Sequence, residues 1–406
     1  MDGGLNRQGP RPLPFHMLLQ AASLLFSLSA LPLWKGGSAG WSRPWTAEES
    51  DLRSQINRAD PARFHQALAD ETIRRVDDFL AGVQAYRRHP YRRVLEPMPA
   101  VWSDGATRLL DYGLKEARGT PVLVVPSLVN RAYVLDLTAR RSLVRHLRSK
   151  GLRPFLVDWG APGPAERDFG IADYVAGRLS SMLDAVIARA GPPGLVGYCM
   201  GGLLTLGLAA LRPKDVLGQV LMAVPWDFHR PYCLAAEPLK ALREPIERSI
   251  ESLGELPGDL LQMLFTAQDP GAVERKYRQF RRMKQGSAAA RRFVALEDWA
   301  NDCVPLTAGV ARETFFGWYG DNLPGRGVWE VAGRIVDPRR LPHPALVVVP
   351  RRDRIVPAES ALPLADALPN GRRRVVEGGH VGMLTGARAV TEIYAPIAAA
   401  LGKMGR

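Results

Sequence analysis

The apolar positions of this 406-residue chain change their period along its length. Residues 15–34 (FHMLLQAASLLFSLSALPLW) are the most apolar stretch, and the polar residues that interrupt it are regularly placed. His16, Gln20, Ser23 and Ser27 stand 4, 3 and 4 apart, on one face of a helix. The pattern predicts an amphipathic helix lying on an apolar surface. Two other readings stay open: a helix docked on the protein's own core or on a partner, and a signal peptide. The latter would place Arg7 and Arg11 ahead of the apolar run and Gly37-Ser38-Ala39 near its cleavage site. The polar interruptions leave a membrane-crossing helix marginal. Gly36 to Pro44 reads as a linker. Residues 47–88 read as helix, with Thr46 and Asp51 as caps and Phe64, Leu68, Ile73, Val76, Phe79 and Leu80 at helical spacing.

After Pro90 the apolar runs become short and continuous. Val122–Val125 (VLVV), bounded by Pro121 and Pro126, is the pattern of a buried central strand. Helix over 142–150, strand over 154–157, helix over 171–190 capped near Asp173, strand at 195–196, helix over 202–211 and strand over 220–224 follow in turn. The last strands are expected at 345–349 and 374–376. This alternation predicts a mostly parallel central sheet with helices on both faces. Residues 226–330 break the rhythm and read as a helical cap rich in arginine and aromatics. The expected organisation is an amphipathic segment and linker over 1–45, a helical region over 46–115, an α/β core over 116–225 and 331–406, and the cap over 226–330.

Composition narrows the class. Hydrophobic residues make up 46% and charged residues 23%, which excludes a disordered chain and a collagen-like repeat. Three cysteines, Cys199, Cys233 and Cys303, cannot form a disulfide framework and lack zinc-site spacing, a usage that favours a reducing compartment. Against 41 Asp+Glu stand 54 Lys+Arg, a net charge of +13, with arginine pairs spread along the chain and a run at Arg372–Arg374. That balance suits a polyanionic partner such as nucleic acid, an anionic membrane or a phosphate-rich small molecule, and selects none of them.

The chemistry is concentrated in Gly197-Tyr198-Cys199-Met200-Gly201-Gly202, a G-x-C-x-G-G pattern between a short apolar strand and an apolar helix. This is the setting of a nucleophile elbow with Cys in place of Ser. Gly197 and Gly201 meet the steric demand of the tight turn, and the helix N-terminus behind Cys199 favours a thiolate. The N–H of Met200 is one candidate for holding a developing oxyanion. In an elbow architecture the acid and then the histidine follow the nucleophile in the chain. Asp353 follows the strand at 346–349, and His380 lies in a glycine-flanked loop after the strand at 374–376, so both stand where strand ends gather. The other six histidines lack such a context, and Cys233 and Cys303 read as inert thiols. For the second oxyanion N–H the candidate is Val129, in the loop after the first core strand, with Asn130 bracing that loop. No metal site is expected.

Five segments in order resemble the polyhydroxyalkanoate synthases, a branch of the α/β-hydrolases with Cys as nucleophile. They are Leu128–Leu137 (LVNRAYVLDL), Asp158-Trp159-Gly160 with Asp173-Tyr174, the GYCMGG of Gly197–Gly202, Asp353–Pro357 (DRIVP) and Gly378–Gly382 (GGHVG). The nearest type is the shorter catalytic subunit that works with a second subunit. The likeness covers about residues 120–400, and it departs from the family at Arg354, where a His is common. The resemblance implies an α/β-hydrolase fold and a catalytic Cys199, His380 and Asp353. It implies polymerisation of 3-hydroxyacyl-coenzyme A through an acyl-Cys199 thioester with release of coenzyme A. The thioester is substrate, and no cofactor is expected. The implied partners are the polyester chain or granule surface, a second copy of the chain and a second synthase subunit, in the cytoplasm at polyester granules, without nucleic acid. Two alternatives use the same residues: a hydrolase, either polyester depolymerase or acyl-coenzyme A thioesterase, and a silent granule scaffold.

Overall fold

The run of apolar residues at 121–125 needs neighbours on both sides and both faces, and the fold supplies them. The computed structural model describes residues 7–36, 47–113, 119–231 and 236–405. Its central sheet has eight strands: β1 Ala100–Asp104, β2 Thr107–Asp111, β3 Pro121–Val125, β4 Arg153–Asp158, β5 Gly194–Tyr198, β6 Gly218–Met222, β7 Ala345–Pro350 and β8 Gly371–Val376. They lie in the order β1-β2-β4-β3-β5-β6-β7-β8. From β4 to β8 every pairing is parallel, whereas β1 and β2 are joined to the sheet antiparallel. All residues of β3, β5 and β6 are buried, as expected for strands covered on both faces. The expected α/β-hydrolase architecture is the one observed.

The edges explain two features of the sequence. β8 is the last strand, and its Arg372, Arg373 and Arg374 are exposed, so the arginine run guards an open sheet edge against pairing with another chain. β1 and β2 were not expected, because 46–115 read as helical. They are short strands around a turn at Gly105, where φ is +56°, with β1 on the sheet edge and β2 between β1 and β4, and their mixed composition carries little strand signal.

The chain divides into two compact units. One comprises Arg92–Gln268 with Asp302–Arg406 and holds the sheet. The other comprises residues up to Tyr91 with Asp269–Asn301. The stretch 226–330, expected as one cap, is thus shared: its middle third groups with the N-terminal helices.

In the N-terminal unit the expected helix over 47–88 is two helices, Ala47–Arg58 and Pro61–Arg88. Asp60 ends one and begins the other. Its carboxylate accepts the Arg63 N–H at 2.8 Å, and Pro61 takes the first helical position, where no N–H is needed. Phe79, Val83 and Tyr86 of the second helix pack on Tyr277, Phe280, Ala290 and Val294 from 269–301. Asp298 accepts from Arg7 at 2.6 Å and from the Tyr86 hydroxyl at 2.9 Å.

The N-terminal helix runs Leu13–Gly36. Its facing corrects the sequence pattern. His16, expected on the wet face, is only 3% exposed and lies 3.3 Å from the Arg11 carbonyl, whereas Leu18, Leu25 and Phe26 are 65%, 66% and 72% exposed. Leu13 and Met17 are the residues it packs on the unit's apolar cluster. Among the described residues no helix is long and apolar enough to cross a membrane. The linker after it and the small residues Gly37-Ser38-Ala39 lie outside the described residues, as does Cys233.

Gly82 sits where the helix Pro61–Arg88 meets the backbone of Tyr277, and a Cβ there would overlap the Tyr277 carbonyl. In an open helix Gly→Ala stabilises by about 1 kcal/mol. Here Gly82→Ala is expected to destabilise by roughly 1–3 kcal/mol, the scale of overpacking. A denaturant titration reads the sign, and a gain in stability would contradict this packing.

Candidate active site

Four loops leave the carboxyl ends of β3, β5, β7 and β8, and each carries one part of the site. The loop after β5 is the tightest. Cys199 has φ 54° and ψ −129°, a left-handed conformation that a non-glycine residue rarely adopts, and the helix Met200–Leu211 begins at the next residue. The strain is held from both sides. The Cys199 N–H donates to the Met222 carbonyl at 2.9 Å, and the Cys199 carbonyl accepts from Gly202 at 2.9 Å. Gly201 is required because a Cβ there would run into the backbone carbonyls of Val125 and Pro126. The close approach lets the elbow nest against the end of β3, with the Met200 N–H at the helix start and without an intrahelical acceptor.

Asp353 is fixed by its own loop before it meets anything else. Its Oδ1 accepts the N–H groups of Ile355 at 2.8 Å and Val356 at 2.9 Å, which leaves Oδ2 to accept from His380 Nδ1 at 2.7 Å. Two backbone bonds tie this loop to the next: Arg351 N–H to the Val376 carbonyl and Arg352 N–H to the Gly378 carbonyl, both 2.9 Å. The carboxylate and the imidazole are therefore set by neighbouring strands in register, β7 beside β8. Both residues are buried, at 6% and 9% exposure.

His380 also feels the charge of Cys199. Burial alone would push the imidazolium down. The charges of Asp353 and Cys199 and the hydrogen bond to Asp353 outweigh it, and the ring is pushed up to about 10. The ring of Tyr198 lies 5.1 Å from that of His380, and its hydroxyl donates to the His380 carbonyl at 3.3 Å. Burial first, and then the nearness of Cys199 and Asp353, push that phenol well above its ordinary range, so it remains a donor. Tyr198 was not singled out from the sequence, although its place beside Cys199 was visible.

The loop after β3 brings Val129 to the same hollow as Cys199 and Met200. Its N–H is engaged by the Ser127 hydroxyl at 3.2 Å. Trp159 Nε1 braces the loop from outside by donating to the Pro126 carbonyl at 3.0 Å. Asn130 forms a backbone bridge with Cys303, while its Nδ2 is buried without a hydrogen-bond partner. Cys303 itself is half-buried.

Cys199 borders a hollow whose lining is almost entirely apolar. Leu261, Leu264 and Phe265 come from the helix Gly258–Thr266, and Thr314, Phe315, Trp318 and Tyr319 from a π-helical turn over Glu313–Gly320. Of the aromatics within 226–330, Phe228, Phe265, Phe315, Trp318 and Tyr319 line it. Trp226 and Phe316 belong to the core, and Trp299 lies in the N-terminal unit. Leu261, Leu264 and Thr314 were not anticipated: a helical stripe shows that a residue is buried but not which hollow it borders.

The remaining histidines are engaged elsewhere. His65, His89, His229 and His343 each meet a backbone carbonyl, of Pro61, Gln285, Gly320 and Pro213, and His146 lies 5.6 Å from the Tyr394 ring.

Comparison with known proteins agrees with this architecture. A family model described as alpha/beta hydrolase fold matches residues 120–387. The chain is similar to the poly(3-hydroxyalkanoate) polymerase subunit PhaC of Synechocystis, 29% identical over 81% of this chain and 91% of the relative. It is similar to that of Allochromatium vinosum, 28% identical over 74% and 86%. The subunit of Haloarcula marismortui is 27% identical over 88% of this chain and 76% of its own length.

The elevated His380 carries a consequence for stability. Its folded value lies above the ordinary 6.5, so the stabilisation is fully present below pH 6.5 and is lost as pH rises towards 10. The difference in stability between the native chain and a His380→Gln variant should therefore narrow over that window in unfolding measurements. A difference that is flat or widens with pH would contradict the arrangement of charges.

Proposed function

We propose that this chain, which belongs to the α/β-hydrolase fold family, is a polyhydroxyalkanoate synthase that joins 3-hydroxyacyl units from their coenzyme A thioesters. The observation that carries the reading is a cysteine, not a serine, on the strained turn, electrostatically coupled to the Asp353-bound His380 and lining an apolar hollow.

Cysteine suits a transferase for an energetic reason. An acyl-Cys199 is itself a thioester, so taking the acyl group from coenzyme A costs little, and passing it to a hydroxyl is downhill. A serine ester would forfeit that drive. His380 takes the Cys199 proton before the attack, and Sγ meets the acyl carbonyl as a thiolate. The carbonyl oxygen becomes an oxyanion beside the Met200 N–H. Val129 supplies the second donor once its N–H exchanges the Ser127 hydroxyl for the oxyanion. The carbon–sulfur bond to coenzyme A breaks, and its thiolate leaves with the proton that His380 returns. In the second half, His380 removes the proton from the 3-hydroxyl of the next unit, whose oxygen attacks the acyl-Cys199 carbonyl. The new ester forms and Sγ recovers the proton. Asp353 holds the imidazole through Nδ1 and balances its positive charge. Gly197, Gly201 and Asn130 support the turn and the facing loop. The apolar lining keeps water from intercepting the acyl-enzyme.

The partners follow from the same reading. The growing polyester is apolar, and the exposed Leu18, Leu25 and Phe26 suit a granule surface in the cytoplasm. A second copy of the chain and a second synthase subunit complete the assembly.

The test is incubation of the purified chain with 3-hydroxybutyryl-coenzyme A and identification of the products. Insoluble polymer with free coenzyme A is expected, and Cys199→Ala should lower coenzyme A release by about 10³-fold or more. Stoichiometric free 3-hydroxybutyrate without polymer would make the chain a hydrolase.

A further inference from the structure

The cavity beside Cys199 contains a chemical mismatch. Its walls are mostly hydrocarbon and aromatic, with Gln268 among them, and Thr314, another of its lining residues, carries a hydroxyl that is buried and has no hydrogen-bond partner. Thr314 is 7% exposed. Buried hydroxyls are costly to leave unpaired, and native proteins rarely do so without reason. Four residues on, the Trp318 indole N–H is also unpartnered, with its ring edge-on to Trp329 at 5.4 Å. The segment that carries both is the π-helical turn Glu313–Gly320, a form often found at functional sites. It is anchored at its start, where Glu313 accepts the Ile171 N–H at 2.8 Å.

We infer that Thr314 is a substrate-positioning residue whose hydroxyl binds the oxygen on carbon 3 of the acyl unit held at Cys199. The inference rests on the synthase reading above and deepens it. A 3-hydroxyacyl group is hydrocarbon apart from its carbonyl and one oxygen two carbons away. The carbonyl belongs to the oxyanion donors, so the second oxygen needs its own partner inside an apolar hollow. A threonine hydroxyl both donates and accepts, so it serves that oxygen as a free hydroxyl in a monomer and as an ester oxygen once the unit is joined. A site built this way discriminates strongly against an acyl group that lacks the oxygen, because the Thr314 hydroxyl would then stay unpaired.

The experiment compares coenzyme A release, as kcat/KM for acylation, from 3-hydroxybutyryl-coenzyme A and from butyryl-coenzyme A. The wild type is expected to prefer the hydroxylated thioester. Thr314→Val should cut that preference roughly tenfold, the scale of one hydrogen bond. Thr314→Ser should retain it, and Thr314→Ala should show the same fall as Thr314→Val should the valine variant fail to fold. The valine variant's melting temperature should not drop, since no native hydrogen bond is removed. A Thr314→Val or Thr314→Ala variant that keeps the wild-type preference, even with lower absolute rates, overturns the inference. A wild type that releases coenzyme A from neither thioester overturns the synthase reading itself, and the inference with it.

Discussion

The hydrogen bond from His380 Nδ1 to Asp353 Oδ2 is the contact on which the site depends. It is made between two loops that have no freedom to miss each other. Asp353 is already held by two backbone N–H groups, and the loops are tied by bonds from Arg351 and Arg352 to Val376 and Gly378. Those ties require β7 and β8 to lie side by side in parallel register. An imidazole so fixed can present its other nitrogen to Cys199 only if β5 ends at the same edge, which the sheet order provides.

The same arrangement distributes cost. The strained backbone at Cys199 and the buried Asp353 and His380 side chains are each unfavourable alone. Mutual charge and the His380–Asp353 hydrogen bond offset the burial, and the apolar strands beneath carry the fold. The open edge at β8 is guarded by arginines. Part of the positive charge therefore serves strand protection, which is why the net charge alone selects no ligand.

The cavity adds a second level of selection. Its apolar lining joins the loops that carry Val129 and Cys199 to the helix Gly258–Thr266 and the turn Glu313–Gly320.

The alternation of strand and helix, the elbow at Cys199, and the chain order in which Asp353 and His380 follow it were legible in the residues alone. Those signals are local: a run of β-branched residues, or glycines where no Cβ fits, declares itself within a few positions. The break at Asp60-Pro61 was equally local, and a cap followed by proline would have revealed it. Other features had no local signal. Strands β1 and β2 exist because β4 offers an edge to pair with. His16 turns inward and Phe26 outward because of what the unit packs beneath them. Thr314 reaches the cavity through a widened helical turn that no apolar spacing reports. Each of these depends on a partner far away in the chain, and a period of hydrophobic residues records that a face is buried without recording against what.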